Sequence, residues 1–295
     1  MEEMKVGHFL LTRFNVRMNT VLTNQLDKID ITSDMEYLSE RFRLFYKYTV
    51  PSVVAQTDEN FEWIVLFSNN TPDCFKDRLN ALMEANKGIK CLFVDDGVDY
   101  YAVLNDYLAS KQVEWYITSR VDNDDALAVN YIERVKHEIL KDEMQTRVLC
   151  FNNGYQYDES AGYLTKYYFP SNHFTSMLAH KETVIDTIIS HGHMEITENY
   201  NVIEVETSEP MWLEVVHGLN VTNRMHFKQN DIISDVQAIM VFGLNPEEIK
   251  IQTANSFLAA FIQKPKNAIR LFQQYGISKT VKKVVGKIKK KLTKV

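Results

Sequence analysis

Three carboxylates stand close together in the middle of the chain. Asp122, Asp124 and Asp125 follow residues 115–121, an apolar and β-branched stretch that predicts a buried strand. Carboxylates this close repel one another by about 1–4 kcal/mol per pair unless a cation or hydrogen bonds offset the charge. Mg²⁺ and Mn²⁺ prefer such oxygen ligands and often bind substrate phosphates as well. The pattern indicates a metal-diphosphate site; the alternative is an acidic turn in which Asp124 or Asp125 caps a helix beginning near Ala126.

The segments before these carboxylates predict the sheet that positions them. Residues 6–11, 61–67 and 89–94 are compact apolar runs and predict three further strands. Between them, apolar residues recur at helical spacing, first over residues 35–56, where Pro51 interrupts the pattern or begins a new turn. Alternating strands and helices favour βαβ units in a doubly wound α/β domain, which binds ligands at the carboxyl ends of its strands.

Polar side chains follow the other predicted strands as well. Thr12, Arg13 and Asn15 follow the first strand, Ser68 and Asn69 follow the second, and Asp96 follows the third. Arg13 or Arg17 could meet a phosphate, although an exposed arginine on a loop is more often only solvated. The chain has no G-x-G-x-x-G or Walker loop, which disfavours a dinucleotide dehydrogenase or a P-loop kinase.

The order of these pieces resembles a known family. Residues 48–68, YTVPSVVAQTDENFEWIVLFS, resemble the opening of nucleotide-diphosphosugar transferases with the GT-A fold, and residues 89–125 resemble their third strand, asparagine-bearing helix and D-x-D strand. More narrowly, T-R-F-N at 12–15, the segment 41–45, R-V-D-N-D-D-A-L at 120–127 and W-L-x-x-x-H-G-x-N at 212–220 are similar to the rhamnosyltransferase-like family of bacterial glycosyltransferases.

The resemblance implies a fold and an activity. The fold would be α/β of the GT-A type, a mixed sheet with helices on both faces and a C-terminal helical extension. The activity would be that of a hexosyltransferase that moves a sugar, rhamnose by the family label, from a nucleotide-diphosphate donor to a saccharide or lipid-linked glycan in surface polysaccharide synthesis. The donor-binding residues implied are Thr12, Arg13, Asn15, Ser68, Asn69, Asp96, Arg120, Asp122 and Asn123.

One departure concerns the nucleobase. Where the wider superfamily has paired aspartates after its second strand, this chain has Ser68 and Asn69. An amide can still pair with a base edge because it carries both donors and an acceptor.

The resemblance also implies a divalent cofactor, Mn²⁺ or Mg²⁺, held by Asp124, Asp125 and a late histidine, His217. His217 follows a short apolar run and precedes a glycine, and it could instead be a histidine satisfied in the core. The other histidines, His173 among them, have no comparable context. The general base for an acceptor hydroxyl would be Glu209 or Glu214, either of which could be merely a surface acid.

The predicted domain boundaries are a catalytic domain over 1–228, a helical appendage over 229–276 and a basic amphipathic tail over 277–295. The tail contains eight lysines and no acid, whereas the whole chain has a net charge of −6. Such a helix suits an anionic membrane surface, and the alternative is a solvated terminus. The acidic body disfavours nucleic acid as a partner.

Three cysteines without a pairing pattern, and no signal peptide or long apolar span, favour a cytoplasmic protein at the inner face of the membrane. Two other functions stay open at this point. The first is a noncatalytic, membrane-attached module that binds nucleotides or carbohydrates with the same fold. The second, a metal-dependent phosphodiesterase or nucleotidyltransferase, would need more clustered Asp or His residues. The tyrosine-rich segment 155–169 offers aromatic faces for an acceptor sugar, or a hairpin packed on its own sheet.

Overall fold

The computed structural model describes residues 5–17, 30–182, 185–191, 193–218, 225–226 and 231–252. The chain divides into two compact units. The first comprises Met1–Gly154, Tyr168–Leu213 and Val241–Leu244, and the second comprises Tyr155–Tyr167, Glu214–Met240 and Asn245–Val295.

The first unit contains a seven-stranded mixed sheet. Its strands, from one edge to the other, are β10 (Val202–Val205), β6 (Arg147–Phe151), β9 (Thr175–His180), β4 (Trp115–Arg120), β1 (Val6–Arg13), β2 (Glu62–Ser68) and β3 (Ile89–Val94). The four strands predicted from the sequence, β1 to β4, are parallel to one another, as expected for βαβ units. β9 is antiparallel to both of its neighbours. The predicted α/β class, a mixed sheet with helices on both faces, is confirmed.

Helices cover both faces of this sheet because side chains alternate between faces along each strand. Apolar residues of β1 and β2 on one face pack with α4 (Tyr100–Ala109) and with the segment 185–196, in a core that includes Phe9, Leu11, Ile64, Leu66, Leu104, Leu108, Ile188 and Ile189. On the other face, the Phe42 ring lies 6.0 Å from Phe67 and the Phe45 ring 5.4 Å from Trp63. The near-continuous apolar character of β2 follows from this double burial.

The helical segment before β2 begins at a cap and continues past the proline. Asp34 accepts a hydrogen bond from the Tyr37 amide and caps α1 (Met35–Leu44). A π-helical turn (Phe45–Thr49) follows and leads into α2 (Val50–Val54). Pro51 lies in the first turn of α2, directly after the π-helical turn, so the helical run continues past the proline.

The segment after the acidic residues differs from the helix cap considered above. Residues Ala126–Leu127 form a short strand, β5, and α5 (Tyr131–Ile139) begins four residues later. β5 is antiparallel to β11 (Trp212–Val216), with Ala126 opposite Leu213. A helix beginning near Ala126 is therefore wrong, because pairing with a strand distant in sequence overrides the local capping signal.

From its composition the segment Asn152-Asn153-Gly154 also predicts a turn, and this prediction is wrong because β7 (Asn153–Asp158) begins at Asn153. Gly154 serves a different purpose there. A Cβ at this position would overlap the indole of Trp212, so glycine allows the ring to lie directly on the backbone.

In the second unit, the strand order is β12 (Ile232–Ile233), β8 (Tyr163–Tyr168), β7 and β11. Ile232 and Ile233 thus form a strand and not the expected helix. In the sequence, Asn245 followed by Pro246 predicts a helix start, and Asn245 does cap a short 3-10 helix, Pro246–Glu248, through the Glu247 amide. Most of the predicted helical appendage and all of the basic tail lie outside the described residues.

The remaining described helices are α3 (Asp73–Ala85), α6 (His193–Asn199) and the 3-10 helix Val236–Phe242. Among the described helices, none combines the length and apolar character needed to cross a membrane.

Candidate active site

The predicted donor-site residues meet at the carboxyl edge of the large sheet. Arg13 ends β1, Ser68 ends β2 and Arg120 ends β4, while the loop after β3 begins at Asp95. These four strands are parallel and adjacent, so their ends lie side by side. The register pairs Arg120 with Leu11 and Ser68 with Val94, which keeps the strand ends level.

The acidic turn after β4 brings two carboxylates and a histidine together. One oxygen each of Asp122 and Asp125 and one ring nitrogen of His173 lie within 4.8 Å of one another. His173 Nε2 is 3.1 Å from Asp125 Oδ2, and the Asp125 side chain is almost completely buried. Arg120 donates two hydrogen bonds to Asp122, from Nε to Oδ1 and from Nη2 to Oδ2, both at 3.1 Å. Two carboxylates and an imidazole form a donor set that suits Mn²⁺ or Mg²⁺.

Electrostatics keep Asp122 ionised. Burial acts to raise the pKa of the Asp122 carboxyl, but the charges of Arg120, His173 and Arg13 and the hydrogen bonds from Arg120 outweigh it. The pKa of Asp122 is therefore held well below its usual range. A carboxylate that remains charged at neutral pH is available to a cation.

Asp124 has a different partner, Arg41 of α1. Arg41 Nη1 donates to Asp124 Oδ2 at 3.0 Å, and Nη2 donates to the side-chain oxygen of Asn123. Both members of the Arg41–Asp124 ion pair are buried, with 12% and 8% of their side chains exposed. Burial acts to lower the pKa of Arg41, and the attraction of Asp124 overrides it and raises the pKa. Arg41 thereby holds Asn123 and Asp124 against α1. Asn123 Nδ2 also donates to the Phe14 carbonyl.

Two of the predicted nucleotide-binding residues support the framework of the site. Asn15 is 1% exposed; its amide nitrogen donates to the Thr32 carbonyl and to Thr71 Oγ1, and its oxygen accepts from the Ser68 amide. Thr12 is fully buried, and its hydroxyl accepts from the Trp63 indole at 2.9 Å. Their direct contact with a nucleotide stays a prediction, whereas their role in fixing the loops after β1 and β2 is evident from these bonds.

A small cavity of about 30 Å³ opens beside this framework. It is lined by the ends of β2 and β3 and the loops that follow β1 and β3, including Arg17, Ser68, Asp95, Asp96, Gly97 and Tyr100. Asp96 pairs with Arg17 at 3.2 Å, and Asn69 donates through its amide to Asp95. Arg13 Nη1 reaches the Tyr100 hydroxyl at 3.3 Å, between this cavity and Asp122.

The predicted bases and the late histidine have different surroundings. Glu209 is exposed in the first unit, in the loop between β10 and β11. Glu214 and His217 belong to the second unit. Glu214 is 5% exposed and accepts a hydrogen bond from Gln156, and His217 is half-buried. The roles of these three residues stay predictions.

His173 was missed by the sequence analysis. It lies two residues before β9, and the antiparallel direction of β9 brings the start of that strand to the edge where β1 to β4 end. A sequence reading that expected parallel strands had no means of placing His173 there.

One family model and several solved structures are similar to this chain. The chain matches, over residues 7–229, the model of a family described as "Putative rhamnosyl transferase". No curated protein matches the chain.

Among solved structures it is similar to TarS 1-349 of S. aureus, with 10% identity, a TM-score of 0.39 and coverage of 71% of this chain and 60% of that one. TarS 1-349 in complex with UDP has 13% identity, a TM-score of 0.30 and coverage of 50% and 35%. A cytidylyltransferase from Leptospira borgpetersenii has 12% identity, a TM-score of 0.37 and coverage of 94% and 100%. The chain thus spans less than two thirds of the TarS chains that it matches.

Proposed function

The chain belongs to the rhamnosyl transferase family whose model it matches over residues 7–229, and we propose that it transfers a sugar from a nucleotide-diphosphate donor with the help of a divalent cation. The observation that supports the proposal is the meeting of Asp122, Asp125 and His173 at the carboxyl edge of the sheet, the same edge on which the cavity after β2 and β3 lies. Rhamnose as the transferred sugar rests on the family description alone, and a hexosyl group is the wider expectation.

The cation is assigned to Asp122, Asp125 and His173. A bound Mn²⁺ or Mg²⁺ would stabilise the negative charge that develops on the leaving diphosphate. Asp125 was already a predicted ligand, and Asp122 and His173 complete the set in this proposal. Asp124, also predicted as a ligand, instead holds Arg41, which keeps the acidic turn in place. His217 remains an alternative nitrogen ligand, and the experiment below separates it from His173.

The donor's nucleotide is assigned to the carboxyl edge of the sheet around the cavity, because the cavity itself, at about 30 Å³, is too small to hold a nucleotide. Ser68 and Asp96 line the cavity, and Asn69 donates to Asp95 beside it. Arg17 pairs with Asp96, and Arg13 is electrostatically coupled to Asp122, so both guanidinium groups lie at the edge where the donor's phosphates would bind. An arginine is well suited to this task because its guanidinium binds phosphate oxygens in pairs.

The acceptor hydroxyl must lose its proton as its oxygen attacks the anomeric carbon and the bond to the diphosphate breaks. In the inverting form of this chemistry a carboxylate takes that proton. We assign this role to Glu209, because its side chain is exposed whereas that of Glu214 is buried and hydrogen-bonded to Gln156.

The direct test measures Mn²⁺ binding by titration and by the thermal-shift response to a panel of nucleotide sugars. Asp125→Asn and His173→Gln should each weaken Mn²⁺ binding by at least about tenfold. Asp58→Asn, which removes a paired carboxylate that precedes β2 and lies outside the acidic turn, is the matched control and should have no effect on Mn²⁺. If His217→Gln abolishes Mn²⁺ binding and His173→Gln leaves it intact, the ligand assignment is wrong.

Catalysis needs its own measurement, because a binding module with the same site would also respond to Mn²⁺. Hydrolysis of the nucleotide sugar that gives the largest stabilisation should depend on Mn²⁺ and be lost on chelation. Tight nucleotide binding without any product, in the presence of Mn²⁺, would identify a noncatalytic module instead.

The basic tail over 277–295 adds a proposal about the acceptor. Its eight lysines suit an anionic surface, where each contributes about 1 kcal/mol, and a lipid-linked glycan would be presented there. Co-sedimentation of the full chain with phosphatidylserine vesicles, compared with phosphatidylcholine vesicles, tests this contact. Equal sedimentation with both would refute an electrostatic role for the tail.

A further inference from the structure

We infer that a second patch on the same edge of the sheet binds the neutral saccharide acceptor. This patch, the Tyr168 patch, consists of Asn152, Tyr168, Ser171, Glu204 and Glu206. The inference rests on the proposed function, because it gives that site its acceptor.

The Tyr168 patch combines an exposed aromatic ring with two carboxylates. The Tyr168 side chain is 53% exposed, and its hydroxyl donates to Glu206 Oε1 at 3.1 Å. Glu204 and Glu206 are both exposed, and within the described residues neither carboxylate forms an ion pair. An aromatic face beside polar groups suits the apolar face of a pyranose ring, and carboxylates accept hydrogen bonds from its hydroxyls.

A buried amide at the base of the Tyr168 patch points to a ligand. Asn152 is 2% exposed, and its Nδ2 lies 3.3 Å from Glu204 Oε2 and 3.5 Å from the Tyr168 hydroxyl. Among the residues that the structure describes, its Oδ1 has no hydrogen-bond partner. A buried oxygen without a donor is costly, by about 1–3 kcal/mol, and such groups are rare in native proteins. The Asn152 amide presents Nδ2 to the Tyr168 patch, so a sugar hydroxyl that accepts from Nδ2, together with a bridging water, would complete the hydrogen bonds of this amide.

The loop between the Tyr168 patch and the cation site is held rigidly. Ser171 Oγ donates to Glu204 Oε1 at 3.2 Å. Among the described residues other than glycine, Ser171 alone has a positive φ, at 54°. Asn172, fully buried, donates to the Phe151 and Phe169 carbonyls, both at 2.8 Å. The next residue is His173, which contacts Asp125. Backbone strain of this kind persists where the surrounding contacts enforce it, often at binding sites.

The distance between the two sites fits a donor and an acceptor. In the sheet, β6 is separated from β4 by β9, and β10 lies one strand beyond β6. At about 4.8 Å per strand, the carboxyl ends of β6 and β10 lie roughly 10 and 14 Å from that of β4. Because β4, β6 and β10 run in the same direction, these ends share one edge. A saccharide seated on Tyr168 can therefore extend toward the acidic turn.

The test uses saturation-transfer NMR of the full chain with the methyl glycosides of rhamnose, glucose, galactose and N-acetylglucosamine. At least one should bind with a millimolar Kd, and Tyr168→Ala and Glu204→Gln should each weaken that binding by about tenfold. Tyr107→Ala is the matched control, because Tyr107 also donates to a glutamate, Glu62, but lies on α4 away from the Tyr168 patch. The control should bind the glycoside as the wild type does.

The outcomes separate this inference from the proposed function. Unchanged glycoside binding in Tyr168→Ala, or no glycoside binding by the wild type at about 10 mM, would overturn the inference. Mn²⁺ binding should be the same in Tyr168→Ala and the wild type, so a loss of saccharide binding with intact Mn²⁺ binding supports it. If the wild type binds a glycoside through Tyr168 and binds neither Mn²⁺ nor any nucleotide sugar, the saccharide patch stands and the proposed transfer reaction is refuted.

Discussion

A buried histidine should make the first unit sensitive to acid. His8 of β1 is 5% exposed, and its Nε2 lies 2.7 Å from Ser119 Oγ, which is in turn 2.6 Å from Ser176 Oγ. Burial, reinforced by the charge of Lys136, lowers the pKa of His8 from 6.5 to about 3, against a smaller opposing effect of Asp58. The imidazole therefore stays neutral in the folded protein at every pH above about 3.

The stability change follows from this difference in pKa. Below pH 6.5 the unfolded chain binds a proton at His8 and the folded chain does not, so the free energy of unfolding falls as the pH falls, down to about pH 3. Each pH unit in that window is worth about 1.4 kcal/mol. Between about pH 8 and pH 4.5, His8 alone should remove about 2.7 kcal/mol from the stability of the first unit.

The assay is urea unfolding of wild type and His8→Gln at both pH values, followed by tryptophan fluorescence. All three tryptophans, at positions 63, 115 and 212, lie in the first unit, so the signal reports its unfolding. Glutamine retains a polar group near Ser119 and cannot titrate. The variant is expected to be less stable at pH 8, but its deficit should shrink by about 2.7 kcal/mol at pH 4.5.

His180→Gln is the control, because that side chain is about half exposed. His180→Gln leaves the buried His8 in place, so the acid-induced loss of stability of the wild type should persist in it. If His8→Gln loses stability with acid as steeply as the wild type, burial of a neutral His8 does not govern the acid response, and the reasoning fails.

Two further substitutions test the framework of the site. Arg41→Met leaves the buried Asp124 carboxylate without its guanidinium and should destabilise the protein by about 3–5 kcal/mol. Asp124→Asn should partly reverse that loss in the double variant. Additive losses of the two substitutions in urea unfolding would show that the pair is not coupled. Gly154→Ala places a methyl group against the Trp212 indole and should cost about 1–3 kcal/mol. Gly218→Ala, whose Cβ would meet no atom of the described residues within 4 Å, should cost much less. Equal thermal unfolding midpoints for the two alanine variants would contradict the close approach at Gly154.

The sequence predicted the parallel half of the fold well. β2 and β3 are buried apolar runs bounded by polar loops, and local patterns of that kind are sufficient to define strands of a covered parallel sheet. The carboxyl-edge rule then brought Arg13, Ser68 and Arg120 to one place, as the register confirms. The wrong predictions concern segments after the acidic turn, where β5 and β12 were expected to be helical. Each of these strands has only two residues and is defined by its pairing with a strand distant in sequence.

The site shows the same division between local and distant information. The sequence alone determined that carboxylates end β4 at the ligand-binding edge, because charge spacing and strand pattern are local properties of residues 115–125. Which carboxylate faces which partner was decided by the tertiary structure: Arg41 comes to Asp124 from 83 residues away, and His173 comes to Asp125 from 48 residues away. Both pairings depend on how a helix and an antiparallel strand pack against the sheet, and no periodicity in the sequence encodes those positions.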